Sequence, residues 1–106
     1  MNILTFDIED WYHFDVKSTE DTWSNYESRI NLYLPQVLDL LDKYNIKATF
    51  FCLGWIARQY PEIIKRQWEE GHEIENHTYS HINIKKSSKN KLYEEFLTTQ
   101  NLIYSI

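Results

Sequence analysis

Lys47-Ala48-Thr49-Phe50-Phe51-Cys52-Leu53-Gly54 is the stretch that decides the fold. Its first seven residues are dense in apolar and β-favouring side chains, and the run ends at a glycine, which predicts a strand closed by a turn. Working upstream, Ile30, Leu34, Val37, Leu38 and Leu41 recur at helical spacing. Ser24 with Glu27 predicts a capping box before that helix, and Pro35 predicts a kink or a second start. Farther back, Trp11 to Asn25 is polar, aromatic and aperiodic, a loop. Ile3 to Phe6 is a short β-rich run that stops at acidic residues, the first strand. Downstream, Pro61, the apolar Ile63, Ile64 and Trp68, and the stop at Gly71 predict a second helix. His72 to Glu75 is a third strand, and Asn76 to Asn83 a polar loop. Ser87 or Ser88 caps a last helix with Leu92, Phe96, Thr99 and Ile103 on one stripe. The order is βαβαβα, the α/β pattern of parallel units in a barrel or an open sheet. Ligands gather at the C-terminal ends of such strands, and both Asp7 and His77 fall there.

The chain has 106 residues, a length for one domain, and 42% hydrophobic with 25% charged residues is the composition of an ordinary folded chain. A formal charge of −5 argues against a nucleic-acid or anionic-membrane surface. Lys85, Lys86, Lys89 and Lys91 form a short basic cluster of the kind that covers a solvated helix face. The single cysteine, Cys52, permits no intrachain disulfide and sits in an apolar setting that predicts the core. Neither a secretory leader nor a transmembrane run is present, so a cytoplasmic location is expected. Aromatic residues make up 16% of the chain, material for packing and for stacking on sugars.

Two clusters carry chemistry. His77-Thr78-Tyr79-Ser80-His81 places two imidazoles four residues apart, where a turn or tight loop brings both rings to one side and lets them converge on a divalent cation. Asp7-Ile8-Glu9-Asp10 sets three carboxylates just past a buried strand, where mutual repulsion demands a cation or hydrogen-bond donors. Two histidines and one carboxylate leave coordination positions open for water and substrate, which is the catalytic pattern, and a second acid then serves as base.

On these residues the sequence resembles the polysaccharide deacetylases, the NodB homology domain. Thr5-Phe6-Asp7-Ile8-Glu9-Asp10 looks like the first motif of that family, and Gly71-His72-Glu73-Ile74-Glu75-Asn76-His77-Thr78-Tyr79-Ser80-His81 looks like the second. Lys47 to Phe51 followed by Leu53-Gly54 is similar to the family's second barrel strand. The resemblance implies the N-terminal βαβαβα portion of a distorted (β/α) barrel spanning residues 1–106, incomplete as it stands. It also implies Asp7 as catalytic base, His77 and His81 as metal ligands, and a divalent cation, Zn2+ first with Co2+ or Ni2+ as alternatives. The third ligand is Asp10 or Glu9. Asp10 has the residue type the family uses, whereas strand alternation favours Glu9.

The activity implied is metal-assisted removal of N-acetyl groups from a sugar or polysaccharide, an amide hydrolysis that yields acetate and a free amine. Trp11, Tyr12 and Trp55 are candidates for lining a sugar groove, and His13 is a looser site candidate. His72 is expected to be structural, Glu73 and Glu75 to be surface or barrel-packing groups, and Thr78 and Ser80 to shape the loop. The family's later motifs, which contain an Arg, an Asp with a Trp, and a Leu-x-His, have no counterpart after His81. A 106-residue chain is therefore expected to turn over slowly or not at all, and a non-catalytic metal- or glycan-binding fragment is the alternative.

Overall fold

A computed structural model describes residues 1–106. The elements in order are β1 (Thr5–Ile8), α1 (Glu20–Trp23), α2 (Ile30–Lys43), β2 (Thr49–Cys52), α3 (Gly54–Gln59), α4 (Pro61–Glu69), β3 (Glu73–Asn76) and α5 (Lys89–Ser105), with single 3-10 turns at Trp11–Phe14 and Ile84–Lys86. The three strands form one parallel sheet in the order β1-β2-β3. Asp7 stands opposite Phe51, which stands opposite Glu75.

Because side chains alternate along a strand, this register sorts the sheet into two faces. Phe6, Ile8, Phe50, Cys52 and Ile74 lie toward the helices. Phe50 and Cys52 are fully buried, and the Phe6 and Phe50 rings stack at 5.4 Å. Leu34, Leu38 and Leu41 of α2, Ile56 of α3, and Ile63 and Ile64 of α4 complete this core. Each such side chain contributes about 1.5–3 kcal/mol on full burial. Thr5, Asp7, Thr49, Phe51, Glu73 and Glu75 share the opposite face, where Thr49 Oγ1 donates to Glu73 Oε2 at 2.7 Å. No helix is long and apolar enough to cross a membrane.

The two helices that precede a strand end alike. After α4, Gly71 adopts φ 83° and the amides of Gly71 and His72 return to the carbonyls of Trp68 and Gln67. After α2, Asn45 takes φ 51° and the amides of Asn45 and Ile46 return to Asp42 and Leu41. Both are six-residue Schellman closures, in which Gly and Asn are the residues that tolerate the left-handed region. His72 Nδ1 then accepts from the Ala48 N–H at 3.1 Å and ties the start of β3 to β2, the structural role expected of it.

Several expectations are corrected. β1 begins and ends two residues later than the apolar run, β2 is shorter, and β3 is Glu73–Asn76. Ser24 is the C-cap of the short α1, so Ser24 and Glu27 do not start α2. Pro35 sits inside an unbroken α2. The segment after Gly54 holds a helix of its own, α3, before Pro61 opens α4. Trp68, assigned to the apolar side of α4, is 69% exposed, on the wall of an open cleft that it shares with Ile74 of β3 and Ile103 of α5. Phe96 is likewise exposed; Thr99 of the expected stripe is buried, and Glu95 is buried beside it.

Candidate metal centre and active site

Asp7 and Glu9 lie two residues apart at the end of β1, so both side chains project from the open face of the sheet. His77 follows β3 directly, held by its N–H to the Cys52 carbonyl at 3.1 Å. His81 lies four residues farther along the same loop. The Oε2 atom of Glu9 stands 3.1 Å from His81 Nε2 and 3.5 Å from His77 Nε2. One ligand atom from each of Glu9, His77 and His81 falls within 4.8 Å of the other two. Asp7 is 57% exposed against 16% for Glu9, and its Oδ2 lies 3.9 Å from His77 Nε2.

This donor set fits a divalent cation. Glu9 Oε2 and His77 Nε2 are buried without a hydrogen-bond partner, although buried polar atoms in native proteins are nearly always paired. With both Nε2 atoms unprotonated, a carboxylate oxygen and two imidazole nitrogens pointed at one another repel as lone pairs, and a shared cation turns that repulsion into attraction. Three ligands of this type leave further positions open.

The structure brings Glu9, and not Asp10, to the two histidines. The Asp10 carboxylate is 3% exposed and turned inward, where Oδ1 accepts from the Trp11 N–H at 3.0 Å. Its Oδ2 accepts from Ser28 Oγ at 2.9 Å, from the Arg29 N–H at 2.9 Å and from the Ile30 N–H at 3.2 Å. It thus caps the 3-10 turn and the start of α2 together. Asp10, the preferred third ligand on residue type, is not in the group with the two histidines, and four donors already surround its two oxygens.

The sugar-groove candidates separate in the same way. Tyr12 and Trp55 are buried among Trp23, Tyr26 and His13, with no ring face left for a sugar. Trp11 keeps an exposed flank, with Arg29 over its ring at 5.3 Å and its indole N–H donated to the Glu27 carbonyl. His13 is buried too, and its Nδ1 accepts from the Asp10 N–H at 2.6 Å.

Burial pushes the His13 imidazole down from 6.5 to about 4, against the opposing pull of the Asp10 carboxylate. Above pH 6.5 neither folded nor unfolded chain holds this proton; below it the unfolded chain takes up a proton that the folded chain refuses until about pH 4, so stability falls with pH across that window. The expected loss is about 2 kcal/mol between pH 7 and pH 5. His13→Asn retains an acceptor for the Asp10 N–H, and in urea titrations its pH slope is expected to flatten. An unchanged slope would assign the dependence to other groups.

The loop that carries both histidines is fastened on two sides. Its carbonyls at Thr78 and Tyr79 accept the Gly54 and Trp55 amides at the start of α3, at 2.8 and 3.0 Å. Its amides at Tyr79 and Ser80 donate to the Glu95 carboxylate on α5. Thr78 (φ 65°) and His81 (φ 57°) occupy the left-handed region, at a cost of about 1–3 kcal/mol each that the surroundings must offset. At Thr78 the Asn76 side chain helps, its Oδ1 accepting the Thr78 N–H at 2.9 Å. Glu95 belongs to neither of the two chemical motifs. The signal available was its place three residues after Leu92 and four before Thr99, on the inward stripe of α5.

The sequence matches the polysaccharide deacetylase family over residues 3–106. A peptidoglycan-N-acetylglucosamine deacetylase of Bacillus cereus is 42% identical over 71 residues, which are 67% of this chain and 26% of that protein. A chitooligosaccharide deacetylase of Bradyrhizobium is 34% identical over 92 residues, covering 86% of this chain and 42% of its own. Among solved structures, a CE4 family pseudoenzyme from Bacillus anthracis superposes with a TM-score of 0.74 at 25% identity, over 97% of this chain and 30% of that one. This chain therefore spans well under half the length of these relatives, and its open sheet is the corresponding part of their fold. With the two motifs in order and the match running almost from end to end, the chain belongs to the polysaccharide deacetylase family.

Proposed function

We propose that this chain supplies the base and the metal ligands of an active site that hydrolyses N-acetyl groups on a glycan, with Glu9, His77 and His81 as ligands and Asp7 as base. The observation that carries the proposal is the convergence of three lone-pair atoms, two of them buried and unpartnered, beside an acid that remains exposed. The names of the relatives, deacetylases of peptidoglycan and of chitooligosaccharides, give the substrate class. When bound, a divalent cation, zinc in first place with cobalt or nickel as alternatives, supplies Lewis acidity and lowers the pKa of water.

The chain's own residues account for the rest. Glu9 and the two histidines fix where the substrate amide must lie, above the C-terminal ends of β1 and β3. Asp7 stands on the solvent side of that point, free to take the proton of the attacking water. The new C–O bond forms at the acetyl carbon, the C–N bond breaks, and acetate and a sugar amine leave. His13 and His72 are buried and each accepts a backbone N–H through Nδ1, so the proton for the leaving amine comes from another group.

Acetate release from N-acetylglucosamine oligomers by the full-length protein tests the assignment. Release is expected to require zinc or cobalt, to stop with a chelator, and to fall about 10²–10⁴-fold in Asp7→Asn. Activity that survives chelation, or that Asp7→Asn leaves unchanged, would sink it.

A further inference from the structure

We propose that Glu95 is a positioning residue for the metal centre, holding His81 in place through the middle of the loop so that α5 sets how tightly the cation is bound. The inference rests on the ligand set proposed above. The Glu95 carboxylate is 4% exposed and lies nearly two helix turns inside α5. Its Oε2 accepts the N–H groups of Tyr79 and Ser80 at 2.9 and 2.7 Å, and its Oε1 accepts Ser80 Oγ at 2.6 Å, with Lys91 Nζ at 3.7 Å toward the surface. Four polar contacts therefore surround one buried charge, and three of them are to the two residues midway between the histidines.

The two histidines depend on this unequally. His77 is attached to the sheet by its own amide. His81 makes no backbone hydrogen bond, so its position follows from Ser80, the neighbour that Glu95 grips twice. The lock works in both directions. Without Glu95 the Tyr79 and Ser80 amides lose a charged acceptor, and the left-handed turn at His81 loses what offsets it. Without the loop, a buried carboxylate would lose its donors, which makes departure of the loop costly. Outer groups that orient ligands in this manner typically change metal affinity by about 10–100-fold when removed.

The test titrates the full-length protein with Co2+, followed by visible absorption, and with Zn2+ by calorimetry. Glu95→Ala is expected to weaken both by about 10–100-fold and to speed hydrogen exchange at the Tyr79 and Ser80 amides. Glu95→Gln keeps an oxygen for the two amides and an NH2 for Ser80 Oγ, and is expected to stay within about threefold of the parent in affinity and exchange. Glu95→Asp keeps the charge but withdraws it by one methylene, with an expected loss of about tenfold; it decides the matter if the alanine variant does not fold. Urea midpoints are measured in parallel, since a purely structural role would shift them without separating Gln from Asp in metal affinity. Tight binding by the parent with equal affinity in Glu95→Asp overturns the role of Glu95 and leaves the centre standing. No binding by the folded parent removes the ligand set itself.

Discussion

Asp10→Ala is expected to destabilise the chain by about 4 kcal/mol, the largest effect of any single substitution near the site. The carboxylate is buried and joins segments far apart in sequence: the 3-10 turn at Trp11, the Ser28 hydroxyl, and the first amides of α2. Removing it leaves the Arg29 and Ile30 N–H groups at a helix start without an acceptor and takes negative charge from the positive end of α2. Asp10→Asn retains one oxygen but turns an NH2 toward groups that are themselves donors, and is expected to cost about 2 kcal/mol. Since whole domains are stable by only about 5–15 kcal/mol, the alanine variant should show a large fall in the urea midpoint. Glu9→Gln should do the reverse, losing bound metal while the metal-free unfolding free energy stays within about 0.5 kcal/mol of the parent. An Asp10→Ala variant that keeps its stability and loses its metal would exchange the roles given to these two acids.

That contrast shows where the sequence could be read and where it could not. The apolar runs and the glycine stops predict three parallel strands, because burial and turn chemistry act within a few residues. The histidine pair is legible for the same reason, being local to one loop. The three acids after β1 are ambiguous, since residue type favours Asp10 and alternation favours Glu9. What resolves them is Ser28 and the first turn of α2, some twenty positions away, whose amides need an acceptor. Tyr12 and Trp55 illustrate the same limit. An aromatic ring after a strand suits a groove or a core equally, and only the cluster with Trp23, Tyr26 and His13 shows which. On α5 the stripe through Leu92 and Thr99 fits either Phe96 or Glu95 within helical tolerance. The loop's unpaired amides select the acid and leave Phe96 outside.

Gly54→Ala carries the second large expected effect, and two physical terms oppose each other there. Alanine is favoured over glycine in a helix by about 1 kcal/mol, so local propensity alone forecasts a more stable protein. Space forecasts the opposite. A Cβ at Gly54 would run into Thr99 Oγ1 and lie 2.6 Å from Tyr79 Cδ2 and 3.1 Å from Thr99 Cβ. Thr99 is fully buried and its hydroxyl is anchored to the Glu95 carbonyl at 2.9 Å, so it cannot simply swing aside. Tyr79 is held from both sides, by the Trp55 amide on its carbonyl and by Glu95 on its own N–H. Packing strain of about 1–3 kcal/mol is expected to outweigh the propensity gain, because the position is the first residue of α3, where a helical preference counts least. The added methyl also separates α3 from α5, between which the histidine loop is clamped, so Co2+ affinity should fall with stability. A Gly54→Ala, Thr99→Ala double variant relieves the nearest collision and should recover about 1 kcal/mol relative to the sum of the single changes. Additive single effects, or a stabilised Gly54→Ala, would mean that the contact between α3 and α5 is too loose to govern the loop.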